Sequence, residues 1–294
     1  MTFTTKNFTG DSDQATPAPN PRPLWQKSPV RFLKRILMML IRMLIRNHHR
    51  VRWMIPDRYF LFSVPGGKMF LRPKESFMML QRIFGLYETQ KMAAVQQLLK
   101  PGGTFIDVGG NKGDFSLLAA KVVGDSGKVI CIEPEHTNAG WIHRSLGMNR
   151  YRNITICELA LSDQNGDAVL HLGTKSGLHT LRDSALEREL GSVIVKTRTL
   201  DSLLQEKGIR HVDVIKIDVE GAELQVLRGA LQTIAENPGI VLLIDIHPGL
   251  GVNPAEVVAC LNSAGLRAYR MEAPFERAAT PTTTLDEVLA RRAA

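Results

Sequence analysis

The chain has 294 residues, of which 44% are hydrophobic and 22% are charged. This composition can supply a substantial core and excludes a chain that is disordered throughout. The length leaves room for one large domain or two small ones. The formal net charge is +8, and much of the positive charge lies between Arg31 and Arg58. Such a balance favours anionic partners, namely nucleic acid, lipid headgroups or phosphorylated substrates.

The first 24 residues are rich in Thr, Asp, Asn and Pro and predict a disordered tail. The next segment, 25–50, predicts a basic amphipathic helix. On a wheel at about 100° per residue its cations share an arc of roughly 120°, and apolar side chains fill most of the rest. The cations are Arg31, Lys34, Arg35, Arg42 and Arg46, and the apolar residues are Phe32, Leu33, Ile36, Leu37, Met39, Leu40, Met43 and Leu44.

The helix over 31–47 is too short, and too interrupted by Arg42, to span a bilayer, which needs roughly 20 apolar residues. No small-residue cleavage site follows its apolar run, so we do not predict a signal peptide. Three interpretations stay open. The helix packs on the body of the protein, lies on a membrane surface, or binds a partner protein.

Residues 51–100 predict a β-hairpin, with strands at 59–64 and 68–71, and two helices at 77–84 and 88–100. From 101 to 272 the pattern alternates between strands and helices, and the strands are almost continuously apolar. This predicts an α/β fold with a doubly wound, mainly parallel sheet that is covered on both faces. Strands are predicted at 104–108, 128–133, 153–159, 212–219 and 240–246, and helices at 114–123, 137–148, 222–235 and 254–264. We read the last segment, 273–294, as separate from this domain.

Two extra strand-like runs, 168–172 and 193–197, interrupt the alternation. The loop between them contains Gly, Ser, His and Thr, which makes it a candidate substrate-facing element. The three cysteines, Cys131, Cys157 and Cys260, are dispersed and flanked by apolar residues. We interpret them as small hydrophobic residues in a reducing compartment, not as a disulfide or metal-binding set.

The first strand of the alternating region ends in Asp107, and a glycine-rich turn follows before a helix begins. Glycines allow positive φ and a close approach of the backbone to a ligand. The turn is Gly109-Gly110-Asn111-Lys112-Gly113. Asn111 stands where dinucleotide-binding proteins have their second glycine, which argues against a nicotinamide cofactor. The alternative is an ordinary tight turn.

Ligands of open parallel sheets bind at the carboxyl ends of the strands, so the polar residues there are candidates. Glu133 ends the second strand, about twenty residues after the glycine turn, where an acidic residue can accept ribose hydroxyls. Its alternative is a solvated loop carboxylate. Ser162 and Asp163 follow the third strand and could bind an adenine amine, although 163–166 also reads as a hairpin turn.

The fourth strand carries Lys216, Asp218 and Glu220, which alternation would place on one face. Buried carboxylates are unfavourable unless they are paired, so this cluster is a candidate site. Asp218 could act as a general base or orient a hydroxyl. The alternative is a buried ion pair that holds the sheet edge.

The fifth strand ends at Asp245 and His247. His247 could take or relay a proton near neutral pH, or be a structural hydrogen-bonding residue. Together with Asp218 and Glu220 these two residues could also bind a divalent metal. No spacing signature requires that, and we predict no metal.

Taken together, these motifs resemble the FkbM family of S-adenosylmethionine-dependent methyltransferases over roughly residues 87–248. The most specific parts are 195–203 (VKTRTLDSL) and 212–223 (VDVIKIDVEGAE). The resemblance also includes Tyr87-Glu88, 99–102, 105–113, Glu133-Pro134 and 159–162. The chain departs from the family at Gly110, where Ala is usual and glycine is sterically harmless, and at Asp245, where Glu is more frequent.

The resemblance implies a class I, Rossmann-like methyltransferase fold, here with an N-terminal helical and hairpin extension. It also implies methyl transfer from S-adenosylmethionine to a hydroxyl oxygen of a sugar, polyketide or other secondary metabolite. Asp107, Gly109, Gly110, Asn111 and Gly113 would then bind the amino-acid end of the cofactor. Glu133 would hold the ribose, and Ser162 or Asp163 the adenine edge. Asp218, Glu220 and His247 would face the acceptor.

The sequence thus favours a cytoplasmic O-methyltransferase that acts on a small-molecule or glycan hydroxyl. Its basic helix, 31–47, would hold it at the inner membrane surface if that helix binds lipid. A membrane-docked scaffold without turnover and a nicotinamide-dependent oxidoreductase are the alternatives. We do not expect nucleic acid as a partner, because no recognised interleaving of aromatic and basic residues is present.

Overall fold

The computed structural model describes residues 29–173, 179–181, 189–271 and 286–293. The chain divides into two compact units, Met1–Leu44 and Ile45–Ala294. The first unit contributes most of helix α1, Pro29–Arg46, so the predicted helix is confirmed. The predicted tail over 1–24 lies outside the described residues. Among the helices that are described, none combines the length and apolarity needed to cross a bilayer.

The second unit begins with helix α2 (His48–Val51), a 3₁₀ turn (Arg52–Met54), hairpin strands β1 (Phe60–Val64) and β2 (Gly67–Leu71), and helices α3 (Phe77–Ile83) and α4 (Thr89–Leu98). The alternating region follows. It comprises β3 (Thr104–Val108), α5 (Asp114–Val123), β4 (Lys128–Ile132), α6 (His136–Gly147), β5 (Ile154–Cys157), β6 (Ala160–Leu161), β7 (Gly166–Gly173), β8 (Glu189–Arg198), α7 (Leu200–Glu206), β9 (Val214–Ile217), α8 (Glu223–Arg228), α9 (Leu231–Glu236), β10 (Val241–Asp245), α10 (Pro254–Ser263), β11 (Arg267–Arg270) and β12 (Glu287–Arg291). The predicted hairpin and most of the predicted elements are therefore confirmed to within a few residues.

The central sheet has the strand order β11-β12-β10-β9-β3-β4-β5. Strands β10, β9, β3, β4 and β5 are parallel, and β12 is antiparallel to both of its neighbours. The chain runs outward from β3 to β5 and then returns to β9 on the other side of β3. This confirms the doubly wound, mainly parallel α/β fold and puts the switch point between β3 and β9, where ligands of such sheets bind.

Apolar side chains cover both faces of this sheet because residues alternate along each strand. Ile106 and Ile215 belong to one core, which includes residues of helices α7 to α10. Phe105 and Val214 belong to the other core, which includes residues of α4 and α5. Helices packed on both faces leave the carboxyl ends of the strands as the open edge.

The C-terminal segment takes part in the central sheet. Strand β12 lies between β10 and β11, with Val288 and Leu289 almost fully buried. The segment that the sequence analysis sets apart at 273–294 therefore supplies a strand to the same sheet as the alternating region.

The single helix predicted over 222–235 is wrong. Two short helices, α8 and α9, replace it, and the break falls at Gly229. A Cβ atom on Gly229 would lie 2.2 Å from the carbonyl oxygen of Ser162. The chain bends here because it passes against the backbone that follows β6, a contact that no local pattern reveals.

The extra strands predicted at 168–172 and 193–197 are confirmed as β7 and β8. With β6 they form a three-stranded sheet in the order β6-β8-β7. The hairpin-turn alternative for 163–166 is wrong, because β6 and β7 both pair with β8 and not with each other. Instead, the Asn165 side chain accepts hydrogen bonds from the Thr199 backbone N–H and the Ser202 hydroxyl. Of the cysteines, Cys131 and Cys157 are buried, and Cys260 is half-buried.

Candidate active site

A cavity opens at the switch point of the sheet, where the turns after β3 and β9 meet the ends of β4 and β6. Leu170 of β7 and two described residues of the β7–β8 connection, His179 and Leu181, also contribute to its wall. The lining residues are Val108, Gly109, Asn111, Ile132, Glu133, Pro134, Ala160, Leu161, Leu170, His179, Leu181, Asp218, Val219, Glu220 and Ala222. The set combines an apolar wall with three carboxylates.

The glycine turn touches the turn after β9 directly. Gly109 has φ +79°, and a Cβ atom there would lie 1.8 Å from the Asp218 carbonyl oxygen. The Lys216 ammonium donates a hydrogen bond of 2.9 Å to the Gly109 carbonyl oxygen. Glycine is therefore required at this position by the contact between the two turns. Gly109 and Asn111 line the cavity, whereas Gly113 is the N-cap residue before helix α5, has φ +87° and lies outside the lining.

Asp107 lies beneath the turn and does not line the cavity. Its side chain is 1% exposed, accepts a hydrogen bond of 2.7 Å from the Ser116 hydroxyl and lies 3.6 Å from the Lys216 ammonium. Burial raises the pKa of this carboxyl, against the opposing effects of Lys216 and Ser116. Asp107 thus holds the base of the turn in place.

Gly110 also lies outside the lining, and it packs against strand β4. A Cβ atom on Gly110 would lie 2.3 Å from the Cys131 sulfur. Where the family usually has alanine, this chain has Gly110, and the Cys131 thiol occupies the space that the methyl group of alanine would fill.

Glu133 is buried and lines the cavity. One carboxylate oxygen accepts a hydrogen bond of 2.7 Å from the Asn111 N–H. The other accepts one of 3.0 Å from the Glu135 N–H and a longer one of 3.4 Å from the Asn138 amide. Burial raises the pKa of Glu133 to about 7, although these hydrogen bonds oppose the shift. A carboxylate has about four acceptor positions, so the oxygen bound to Asn111 can accept one more donor.

The structure does not bring Ser162 and Asp163 into the cavity wall. The Ser162 hydroxyl donates to an Asp163 carboxylate oxygen at 3.2 Å, and neither residue is among those that line the cavity. The wall beside them is apolar and consists of Ala160 and Leu161.

Asp218 lines the cavity with its carboxylate 3.3 Å from the Lys216 ammonium. Burial opposes ionisation of Asp218, but Lys216, Lys91 and His247 outweigh it and lower the pKa of Asp218 below its ordinary value. Burial likewise opposes the charge on Lys216, and the carboxylates of Asp218 and Asp107 outweigh it and raise the pKa of Lys216. The pair is therefore charged at neutral pH.

Glu220 reaches the cavity by a route that alternation does not predict. Strand β9 ends at Ile217, and Glu220 has a left-handed backbone conformation with φ +49°. The prediction that an extended strand aligns Lys216, Asp218 and Glu220 is therefore wrong, although the two carboxylates do converge. Burial raises the pKa of Glu220 to about 7.

His247 stands behind these carboxylates. Its Nδ1 atom lies 2.5 Å from a carboxylate oxygen of the fully buried Glu223. Its Nε2 atom lies 3.6 Å from Glu220 and 3.8 Å from Asp218. Burial lowers the pKa of His247, but the hydrogen bond to Glu223 and the charges of Glu220 and Asp218 raise it to about 9. His247 is therefore a cation at neutral pH and balances part of the acidic cluster.

Three side chains are close enough to share a metal ion. The ligand atoms of Asp218, Glu220 and His247 all lie within 4.8 Å of one another. Asp245, the fourth member of the metal alternative, is instead bound by the buried Lys91 ammonium at 2.6 Å. The prediction of no metal stays a prediction.

Sequence reasoning missed two residues beside the cavity and one behind it. His179 lines the cavity, and the Thr180 hydroxyl donates a hydrogen bond of 2.6 Å to the Glu220 carbonyl oxygen. The only signal for these two residues was the composition of the loop that holds them. The sequence analysis also missed Glu223 as the partner of His247. The signal that could have revealed it is that Glu223 follows Glu220 by three residues, so it lies close to the acidic cluster.

Known proteins resemble this chain mainly in the region of the cavity. Residues 107–268 match the model of the methyltransferase FkbM domain. The 2-O-methyltransferase NoeI of Sinorhizobium fredii is 29% identical over 161 residues, which are 48% of this chain and 63% of that protein. The hexuronic acid methyltransferase AglP of Haloferax volcanii is 37% identical over 79 residues, 26% of this chain and 30% of that protein. Both matches span less than two thirds of the relative's length.

A crystal structure of methyltransferase FkbM from Methylobacillus flagellatus aligns with 84% of this chain and 59% of its own, at 16% identity and a TM-score of 0.42. The family model covers more than half of the 294 residues and includes both the glycine turn and the Asp218–Glu223 motif. The chain therefore belongs to the methyltransferase FkbM domain family.

Proposed function

We propose that this protein transfers a methyl group from S-adenosylmethionine to a hydroxyl oxygen of a small molecule or glycan. The observation that carries the proposal is the convergence of Gly109, Glu133, Asp218 and Glu220 around one cavity at the switch point of the sheet. The names of the two relatives, a 2-O-methyltransferase and a hexuronic acid methyltransferase, favour a sugar hydroxyl as the acceptor.

The residues of the cavity fit this cofactor. The side-chain oxygen of Asn111 is buried without a hydrogen-bond partner in the described structure, so a ligand amine or hydroxyl would satisfy it. Glu133 keeps a free acceptor position for a ribose hydroxyl, as its place after β4 predicts. Ala160 and Leu161 offer the apolar surface that a purine ring needs. In this proposal Ser162 or Asp163 binds the edge of the adenine ring only after the hydrogen bond between the two side chains breaks.

A bound S-adenosylmethionine supplies a methyl group that is already activated by the sulfonium. The protein must then hold the acceptor oxygen in line with the methyl–sulfur bond and take its proton. Glu220 suits the second task, because it lines the cavity and its pKa of about 7 matches neutral conditions. Asp218 stays ionised and orients the hydroxyl. His247, held by Glu223, is a cation that positions the Glu220 carboxylate and offsets part of its negative charge.

Calorimetric titration of the purified full chain with S-adenosylmethionine tests the proposal. We expect saturable binding to the wild type and a clear loss in Glu133→Ala, whereas Glu236→Ala, an exposed glutamate on α9, should bind like the wild type. NADH and NADPH, titrated in parallel, should not bind. A folded wild-type protein that fails to bind S-adenosylmethionine would contradict the proposal and favour the non-catalytic scaffold.

We further propose that the enzyme works in the cytoplasm at the inner membrane surface, with α1 as the docking element. No Asp or Glu occurs between Arg31 and Pro56, and the sequence pattern of 31–47 predicts an apolar face opposite a basic arc. Helices of this kind lie in the interface of anionic bilayers. In the second unit, the 3₁₀ turn that follows α2 carries Trp53, which is 79% exposed, and aromatic residues of this kind prefer the membrane interface.

The docking proposal is tested with uncharged substitutions in the full chain. Leu40→Gln together with Leu44→Gln removes two apolar side chains from the centre of the apolar face. Met38→Gln alters the basic arc and serves as the control. We expect the double variant to lose cosedimentation with anionic vesicles and the control to keep it. Equal binding of both variants would show that α1 is not the anchor.

A further inference from the structure

A second cavity, which shares no lining residue with the candidate active site, lies in the second unit, and its lining includes the last two residues of α1 and residues of α2 and α3. Three of its lining side chains are basic and exposed, namely Arg46, His49 and Arg52. Among the ion pairs of the described residues, none gives Arg46 or Arg52 a carboxylate partner. The Arg52 Nε atom donates to the Lys74 carbonyl oxygen at 2.9 Å, which fixes the direction of that side chain.

A buried hydroxyl in the same cavity lacks a hydrogen-bond partner. Ser76 lines the cavity, is 4% exposed, and its Oγ atom is unpaired. Ser76 precedes α3, but its side chain makes no capping bond to that helix. An unpaired buried hydroxyl is destabilising, and native proteins rarely keep one without a function or a ligand. This second observation, independent of the basic side chains, indicates a ligand with acceptor atoms.

The other charged and titratable groups of the cavity are already engaged. The Glu75 carboxylate lies 3.4 Å from the Lys112 ammonium, which offsets its negative charge. The buried His48 forms a hydrogen bond of 3.0 Å between its Nε2 atom and the Pro73 carbonyl oxygen, so it supports the wall. Two arginines, a histidine and an unpaired hydroxyl remain. They can donate hydrogen bonds to the oxygens of a phosphate group, and the arginines can offset its negative charge.

We propose that this cavity binds the phosphate of an anionic lipid headgroup, with Arg46 and Arg52 as the main cationic contacts and the Ser76 hydroxyl as a hydrogen-bond donor. The lipid source follows from the position of the cavity in the chain. Its lining begins with the last residues of α1, and the exposed Trp53 and Met54 come directly after Arg52. The inference rests on the docking proposed for α1 and adds headgroup selectivity to it.

The test compares full-chain variants on phosphatidylcholine vesicles that contain either phosphatidic acid or the same surface charge from oleate. Arg46→Gln with Arg52→Gln removes two charges from the cavity. Arg150→Gln with Arg267→Gln removes two exposed charges elsewhere and is the matched control. Ser76→Ala removes the hydroxyl without changing the charge. Each variant is also titrated with inorganic phosphate.

We expect the cavity double variant to lose at least about five-fold more affinity for phosphatidic acid vesicles than the control, since one cation near such a surface contributes about that factor. Ser76→Ala should weaken binding to phosphatidic acid but not to oleate vesicles, and should not unfold the protein. Equal losses in the cavity and control variants would overturn the proposal. So would binding of inorganic phosphate at the cavity without any effect on vesicles, because the source would then be a free phosphate. Failure of α1 docking differs from both, since it abolishes binding to all vesicles.

Discussion

Gly110 and Cys131 form a contact in which a missing side chain makes room for a neighbouring thiol. Gly110 is not among the residues with positive φ, so alanine fits its backbone. The obstacle to alanine is the Cys131 sulfur, 2.3 Å from the position of the new Cβ atom. Cys131 is fully buried in β4, and burial raises the pKa of its thiol well above the ordinary value. The thiol therefore acts here as a space-filling group and not as a nucleophile.

We predict that Gly110→Ala destabilises the protein by about 1–3 kcal/mol through overpacking against Cys131. Adding Cys131→Ala to this variant should recover much of the loss, because the smaller side chain removes the clash. Urea unfolding of the two single variants and the double variant measures the coupling, which for residues in contact is about 0.5–3 kcal/mol. Additive effects would mean that the two side chains do not compete for space.

Glu220 supplies a second prediction at the residue scale, for the pH dependence of methyl transfer. A carboxylate accepts a proton only when it is ionised, so the rate should rise with pH and level off above about 7, the pKa to which burial raises Glu220. Glu220→Gln should lower the rate by about 10²-fold or more, which is the usual contribution of a general base. Single-turnover rates with S-adenosylmethionine and a sugar acceptor measure both effects.

The same pH profile separates Glu220 from His247 as the base. A rate that continues to rise towards pH 9 would assign the proton transfer to His247, whose pKa is raised to about 9. Binding of S-adenosylmethionine to Glu220→Gln, measured by calorimetry, is the control for a loss of the cofactor. Glu236→Gln should leave the rate unchanged.

The break between α8 and α9 gives a prediction at the scale of elements. Gly229→Ala would push a methyl group to 2.2 Å from the Ser162 carbonyl oxygen, so we expect a loss of about 1–3 kcal/mol. Gly140 lies inside α6, and a Cβ atom there has no neighbour within 4 Å. Gly140→Ala should therefore stabilise the protein by roughly 0.5–1 kcal/mol. Denaturant titration of both variants measures these changes. A loss only at Gly229 would show that the close approach to Ser162 causes the break between α8 and α9, and a gain at both positions would assign the break to the low helix propensity of glycine.

Elements with a strong local pattern could be predicted from the sequence, and those fixed by distant contacts could not. The apolar composition of β3, β9 and β10 is enough to predict these strands, and the glycine spacing after Asp107 is enough to predict the turn. Strand β12 does not, because its place between β10 and β11 depends on antiparallel pairing with residues far away in the chain. Glu220 and His179 show the same limit at the site. Glu220 reaches the cavity through a left-handed backbone conformation, and His179 lies in the connection between β7 and β8, far in sequence from the other acidic and glycine residues of the lining.

At the scale of the whole molecule, one buried ammonium joins three parts of the second unit. Lys91 belongs to α4 in the N-terminal extension and is 3% exposed. Its ammonium binds Asp245 at the end of β10 and lies 3.4 Å from Glu287 in β12 and 2.9 Å from Glu88. Burial lowers the pKa of Lys91, but these carboxylates and Asp218 outweigh it and raise the pKa above its ordinary value. The charge thus couples the extension to strands β10 and β12 of the central sheet.

We predict that Lys91→Met destabilises the protein by about 3–5 kcal/mol, because Asp245 would remain buried without its counter-charge. Replacing both partners, as Lys91→Met with Asp245→Leu, should recover much of this loss, since an apolar pair leaves no unpaired charge behind. Burial and the charge of Asp218 raise the pKa of Asp245 to about 8 even beside Lys91.

Loss of the ammonium should raise the pKa of Asp245 further. The deficit relative to the wild type should therefore stay constant from mildly acidic to neutral pH and grow as the pH rises above about 8. The contribution of Lys91 itself is fully present below the ordinary lysine pKa and is lost only as the pH rises through the raised value. Urea unfolding between mildly acidic and alkaline pH measures the deficit, and a deficit that already grows between acidic and neutral pH would show that Asp245 is ionised beside Lys91 in the wild type.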